Sequence, residues 1–185
     1  DEKVPVKELK QVKNKAKNII LFIGDGMSVS QISAFRLFQG GPNSRVAVDN
    51  FPYSGKVLTH SANAIVTDSA SSGTAFSTGR KTNNRALGVD VNGQPIENIT
   101  EKLDKSGYVS SIISTSEVTH ATPAAFIVHA SSRYMADEIS IQMTDSKIKN
   151  ILGGGRKFFI PEENGGNRED GIQLLDKVKT NSILI

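Results

Sequence analysis

The run Ile19-Ile20-Leu21-Phe22-Ile23, closed by Gly24-Asp25-Gly26, constrains the fold of this chain more than any other feature. Five apolar residues without polar alternation, rich in Ile and ended by glycine, predict a strand covered on both faces, as in the middle of a parallel sheet. Val29, Ile32, Phe35 and Phe38 then recur at every third position before Gly40-Gly41-Pro42, which predicts a helix with one apolar stripe. Strand, acidic glycine turn and helix form the opening unit of an α/β sheet. Ligands of such sheets bind at the carboxyl ends of strands, where Asp25 stands.

The same order returns further on. Ile96, Ile99 and Leu103 predict a helix within Pro95 to Lys105, ended by Gly107, and Tyr108 to Ser114 then reads as a second central strand. Glu117 to His120 follow its carboxyl end. Thr122-Pro123 reads as a helix start, with the hydroxyl as cap and proline in the first helical position. Between the two units, Pro52 to Gly55 predicts a turn and Lys56 to Thr59 a short strand. Asp68 to Gly79 is almost all Ser, Thr, Ala and Gly, a helix to about Ser77 capped by Asp68 or Ser69. Arg80 to Gly93 is polar, with Asn83-Asn84 and Asn92-Gly93 as turn signals. Towards the end we expect a helix over Ala136 to Met143, a turn at Gly153-Gly154-Gly155, a strand at Phe158 to Ile160 and a helix near Gly171 to Lys179. Asn164 to Asp170 reads as an exposed loop open to proteases.

Composition narrows the function. The 185 residues include no cysteine, which removes disulfides, thiolate zinc sites and cysteine nucleophiles. The net charge of +3 owes much to lysines at 3, 7, 10, 13, 15 and 17, a solvated basic arm over residues 1–17. No basic stretch is interleaved with aromatics, so no nucleic-acid partner is expected. No apolar run approaches the roughly 20 residues that span a bilayer. A chain opening on Asp1 in place of Met is what removal of a targeting segment would leave.

Candidate chemistry gathers at the two strand ends. Asp25 after the first strand, and His120 with Thr122 after the second, would make part of an oxygen-rich cation site. Local roles compete with this: Asp25 and Thr122 as helix caps, His120 as a hydrogen-bonded loop residue. Ser69 lies at a helix start, where unpaired N–H groups favour phosphate, but a serine becomes nucleophilic only beside a base or a metal. Arg133 could bind two phosphoryl oxygens through its planar guanidinium, or act only as a surface solubiliser.

Four segments together resemble the alkaline phosphatase family. Asn18 to Met27 is similar to its first metal-binding strand and turn, and Val66 to Gly79 to its nucleophile segment. Val118 to Phe126, with Arg133 at the family's offset, is the third match, and Ile151 to Gly155 the fourth. The resemblance implies a three-layer α/β fold with a central, mostly parallel sheet, present here only in part. Residues 18–185 would be the N-terminal portion of a single domain whose C-terminal portion lies outside this chain.

Its implications for the site follow residue by residue. Asp25 would bridge the second zinc and the magnesium, and Ser69 would be the phosphorylated nucleophile held by that zinc. Asp68 would orient Arg133, Arg133 would clamp the phosphoryl group, and Thr122 would ligate magnesium. At position 120 some members have aspartate beside the magnesium and others, like this chain, histidine; His120 would let zinc or cobalt compete there. His129 resembles a buried helix residue of the family and not a ligand.

The implied reaction is hydrolysis of phosphate monoesters through a covalent phosphoserine, with two zinc ions and one magnesium ion per site and inorganic phosphate as product. Two zincs need three or four protein ligands each, and the histidines here are only His60, His120 and His129. The missing ligands would come from the C-terminal portion, and this chain alone would be inactive. The family also implies a homodimer, to whose interface the basic arm is a candidate contributor, and a secreted protein of the bacterial periplasm or cell surface. The alternatives are a related phosphodiesterase or sulfatase, and a phosphate-binding protein that captures its ligand without turnover.

Overall fold

The computed structural model describes residues 16–178 and 182–184. Most of the predicted basic arm and the end of the last predicted helix lie outside the described residues.

Helix α1 (Val29–Gly40) follows the Gly24–Gly26 turn as expected. Ser28 caps it: its hydroxyl accepts from the Ser30 N–H, and Gln31 reaches back to the Ser28 N–H at 3.0 Å. Helix α2 (Ser69–Thr78) is capped by Asp68 and ends at Gly79 in the left-handed conformation, φ 72°. Helix α3 (Ile99–Asp104) starts at Asn98 with its own reciprocal cap to Glu101. Strand β1 (Ser111–Glu117) comes next, followed by helices α4 (Ala121–Ala124) and α5 (Ala136–Asp145). Strand β2 (Asn150–Gly154), helix α6 (Leu175–Val178) and strand β3 (Ser182–Leu184) complete the order.

The three strands form one parallel sheet in sequence order, with Ile112 opposite Ile151 and Ile151 opposite Ile183. Parallel neighbours need crossover connections, and α4 and α5 lie in the link between β1 and β2. The core is built from Val118 after β1, Ala121, Ala124 and Ala125 of α4 and its end, Ile139 and Met143 of α5, Ile151 of β2, Phe159 and Leu174. Ala70 and Leu87 join it from the α2 side. Helices α2 and α4 cross closely because Gly73 carries no side chain: a Cβ there would stand 3.0 Å from Cβ of Ala125 and 3.6 Å from Cα of Thr122. Ser77 Oγ locks the contact by donating to the Ala125 carbonyl at 2.6 Å. Among the described residues no helix is long and apolar enough to cross a membrane.

The architecture is α/β with a small parallel sheet, as the sequence predicts, but several elements differ. Ile19 to Ile23 forms no strand and does not join the sheet, and Ile20 and Phe22 are 78% and 88% exposed. A strand covered on both faces needs neighbours, and among the described residues none pairs with it. Lys56 to Thr59 is likewise no strand, with Val57 and Leu58 exposed. The second central strand is Ser111–Glu117, three residues later than expected at either end. Gly153 and Gly154 belong to β2, and only Gly155 turns, at φ 101°.

Phe158 is in a 3-10 turn (Arg156–Phe159), which buries Phe159 fully. The Asn164 to Asp170 loop is not wholly exposed: Arg168 is buried, with its guanidinium on Asp170, Ser140 Oγ and the Phe158 carbonyl. Within the segment read as polar, Ala86 to Val89 is buried, and Leu87 exchanges backbone hydrogen bonds of 2.9 and 2.8 Å with Ala130.

Candidate active site

The turn that closes the first apolar run, the start of α2 and the start of α4 meet at one point. Ser69, the first residue of α2, donates its hydroxyl to Oδ1 of Asp25 at 3.1 Å, and Thr122 donates to Oδ2 of the same carboxylate at 2.8 Å. Asp25 is exposed, while Ser69 and Thr122 are half-buried, so the carboxylate faces outward over two hydroxyls anchored in the packed helices. Helix α4 begins at Ala121 with His120 in the cap position, two residues before the start read from the sequence. Thr122 therefore does not cap it, and its hydroxyl is free for Asp25.

Asp68 holds the second half of the site. Its Oδ1 accepts from the Ser71 N–H at 3.0 Å, which caps α2, and from Ser71 Oγ at 2.9 Å. Its Oδ2 accepts from the Arg85 N–H at 3.1 Å and from Nη1 of Arg133 at 3.4 Å. Burial opposes ionisation of this carboxyl, but the Ser71 and Arg85 N–H groups, the Ser71 hydroxyl and Arg133 together hold it below the ordinary aspartate range. The other terminal nitrogen of Arg133 lies 3.3 Å from Nε2 of His120. A guanidinium only donates, so Nε2 of His120 is the acceptor here. His129 stands apart, beyond α4 and not on a helix, with Nδ1 2.6 Å from the Gly88 carbonyl and Nε2 3.0 Å from Glu101.

All six residues singled out in the sequence, Asp25, Asp68, Ser69, His120, Thr122 and Arg133, are thus linked in two hydrogen-bonded sets that adjoin at Asp68-Ser69. Sequence reasoning missed Asn84 and Arg85. Asn84 Oδ1 accepts from the Asp68 N–H at 3.3 Å and lies 3.0 Å from Ser71 Oγ, and its Nδ2 donates to the Val66 carbonyl at 3.0 Å. The Asn83-Asn84 turn signal was the only trace of this in the sequence.

As a cation site, the carboxylate of Asp25 with the Ser69 and Thr122 hydroxyls is an all-oxygen donor set, which suits magnesium better than zinc. Among the described residues no cluster of three or more His, Asp or Glu side chains could hold a metal ion. The donors fit part of a hard-cation site and do not fill the ligand set of two zincs.

The alkaline phosphatase family model matches residues 16–184. Alkaline phosphatase 4 of Bacillus subtilis (strain 168) is 36% identical over 172 residues, covering 86% of this chain and 37% of the relative. The structure of alkaline phosphatase from the Antarctic bacterium TAB5 superposes with a TM-score of 0.77 at 36% identity, over 84% of this chain and 43% of that one. A variant of that enzyme, with one histidine changed to aspartate and magnesium bound, matches with the same TM-score of 0.77 and identity of 36%, over 85% and 43%. The chain therefore spans less than half the length of the relatives it matches. With four motifs, a shared fold and a family model that runs over nearly all the described residues, the chain belongs to the alkaline phosphatase family.

Proposed function

We propose that this chain supplies the nucleophile, the phosphoryl clamp and part of the metal site of a phosphatase that hydrolyses phosphate monoesters through a phosphoserine at Ser69. The observation that carries the reading is the meeting of Ser69 and Thr122 on the two oxygens of Asp25, beside the Asp68–Arg133 pair. Ser69 stands at the N-terminus of a ten-residue helix, whose free N–H groups and dipole favour an incoming phosphoryl group. Arg133 has its two terminal nitrogens directed to Asp68 and His120, and each carries a second proton. Two donors in one plane therefore remain for two phosphoryl oxygens.

In the first half-reaction the Ser69 hydroxyl loses its proton, its oxygen bonds to phosphorus, and the ester oxygen departs to be protonated as the alcohol. Water then attacks the phosphoserine, releasing inorganic phosphate and restoring Ser69. Two zinc ions and one magnesium ion, when bound, supply the fixed charge that lowers the pKa of the attacking hydroxyl and stabilises the leaving oxygen. Asp25 and Thr122 would hold the magnesium and Asp25 would reach one zinc. The magnesium named for the TAB5 variant supports such a site in this family. His120, which accepts from Arg133 through Nε2, would act beside the magnesium site.

The remaining ligands, on this reading, come from the share of the family's length outside the matched region. The same polypeptide would cover the apolar surface now bare at Ile20, Phe22, Phe38 and Ile113. A homodimer secreted to the bacterial periplasm or cell surface completes the proposal.

The test is an acid quench of the whole enzyme during turnover of a labelled phosphate monoester. Label on Ser69, and its loss in Ser69→Ala together with a rate drop of at least about a thousandfold, is the expected result. Unchanged turnover in Ser69→Ala sinks the proposal, and turnover confined to sulfate esters or phosphodiesters would move the chain to another chemistry.

A further inference from the structure

Arg85 is the only non-glycine with a left-handed backbone among the described residues, at φ 75°. That region is disfavoured for a side chain with a Cβ, and such residues persist where their surroundings fix them from several sides. Here the surroundings are the site itself. The Arg85 N–H donates to Oδ2 of Asp68 at 3.1 Å, and the Arg85 carbonyl accepts the backbone N–H of Arg133 at 2.7 Å. One peptide unit on either side of a single Cα thus ties the cap of the Ser69 helix to the main chain of the phosphoryl clamp. The following residues extend the tie. Thr74 Oγ1 of α2 donates to the Ala86 carbonyl at 3.2 Å and accepts from the Gly88 N–H at 2.9 Å, and Leu87 bridges Ala130. The Arg85 guanidinium itself lies over the ring of Tyr134, 5.7 Å from its centroid and next to Arg133 in sequence.

We propose that Arg85 is a positioning residue of the phosphoryl site, acting through its left-handed backbone, which sets Arg133 against Asp68 and so aims the guanidinium at the group bound over Ser69. This rests on the phosphatase reading for its consequence, but its geometric core does not. The side chain is dispensable in this account and the backbone conformation is not. Glycine adopts φ 75° without a Cβ conflict, whereas a β-branched residue resists it. Arg85→Gly and Arg85→Val therefore separate the two contributions.

The experiment measures inorganic phosphate affinity and hydrogen exchange in the whole enzyme for Arg85→Gly, Arg85→Val and Arg133→Ala, and for Arg85→Val combined with Arg133→Ala. We expect Arg85→Val to weaken phosphate binding about tenfold and Arg85→Gly to stay within about twofold of the parent, with the Arg85→Val effect vanishing once Arg133 is Ala. A general loss of stability would persist in that background. Exchange should quicken together in the segments holding Asp68 and Arg133 in Arg85→Val, with α5 unchanged. Parent-like affinity in Arg85→Val, or an equal loss with and without Arg133, overturns the proposal. Should the parent bind no phosphate, the phosphatase reading fails, and the exchange pattern alone decides: no coupled change at Asp68 and Arg133 overturns the positioning role as well.

Discussion

Thr122 Oγ1 lies 2.8 Å from Oδ2 of Asp25, although the two residues are 97 positions apart in the chain. Ser69 takes the other oxygen of the same carboxylate at 3.1 Å. For both hydroxyls to share one carboxylate, the starts of α2 and α4 must lie close together, and Gly73 permits the close crossing of the two helices. The relationship makes Asp25 the point where a small-residue packing contact turns into a site.

Removing the Thr122 hydroxyl tests whether that arrangement holds a cation. Thr122→Val keeps the shape of a half-buried side chain, so the fold should survive. Magnesium affinity, read from the metal dependence of turnover, should fall about ten- to a hundredfold, the usual cost of losing a residue that ligates or orients at a metal site. Asp25→Ala, which takes away the acceptor shared by both hydroxyls, should lower turnover further. Equal magnesium affinity in Thr122→Val and parent would leave Thr122 as a hydrogen-bond donor only.

Arg133→Lys separates charge from geometry. Lysine keeps the positive charge but cannot span Asp68, His120 and two phosphoryl oxygens from one plane. Phosphate inhibition should weaken about tenfold in the lysine variant and about a hundredfold in Arg133→Ala, an ordering expected where a bidentate donor has been lost. Identical inhibition constants for Lys and Ala would mean that charge at this position contributes nothing.

Asp68 sets the acid side of stability at the site. Its carboxyl is held below the ordinary aspartate range in the folded protein. A group with a lowered folded pKa stabilises the fold fully above its unfolded value, about pH 4, and loses that contribution as pH falls through the folded one. The parent should therefore lose stability on acidification below about pH 4 more steeply than Asp68→Asn. Midpoints of urea unfolding at a series of acid pH values check this, and parallel curves for the two proteins would contradict it.

The site was more legible in the sequence than the sheet was. Asp68, Ser69 and Thr122 stand out because cap, helix start and proline are local signals, readable within a few residues, although Thr122 does not cap its helix. Arg133 stands out only through its offset in the family resemblance. Asp25 stands out because it follows an apolar run. That same run, Ile19 to Ile23, predicts a buried strand and is found bare, because local pattern reports what a segment needs as neighbours and not whether they are present. Arg85 was invisible for the opposite reason: its left-handed backbone matters through hydrogen bonds to Asp68 and Arg133, distant in the chain, and nothing about an arginine announces it. The exposed reading of Asn164 to Asp170 fails at Arg168, whose burial depends on acceptors in other elements, Ser140 and Phe158 among them.

Gly73 links packing to chemistry, and two substitutions there have opposed contributions. Alanine is the better helix former by about 1 kcal/mol, but its Cβ would stand 3.0 Å from Cβ of Ala125. The two effects nearly offset, so Gly73→Ala should change stability little. Gly73→Val adds a Cβ and two further methyl groups to a contact where the Cβ alone is already tight, and should cost about 1–3 kcal/mol by overpacking. The strain relaxes by parting α2 from α4, which moves Ser69 away from Thr122. Turnover should therefore fall in Gly73→Val under conditions where the protein is still fully folded. Ala125→Gly removes the opposing Cβ, and combining it with Gly73→Val should recover both the urea midpoint and the rate. Recovery of stability without recovery of rate would show that the helix contact does not set the spacing of the two hydroxyls on Asp25.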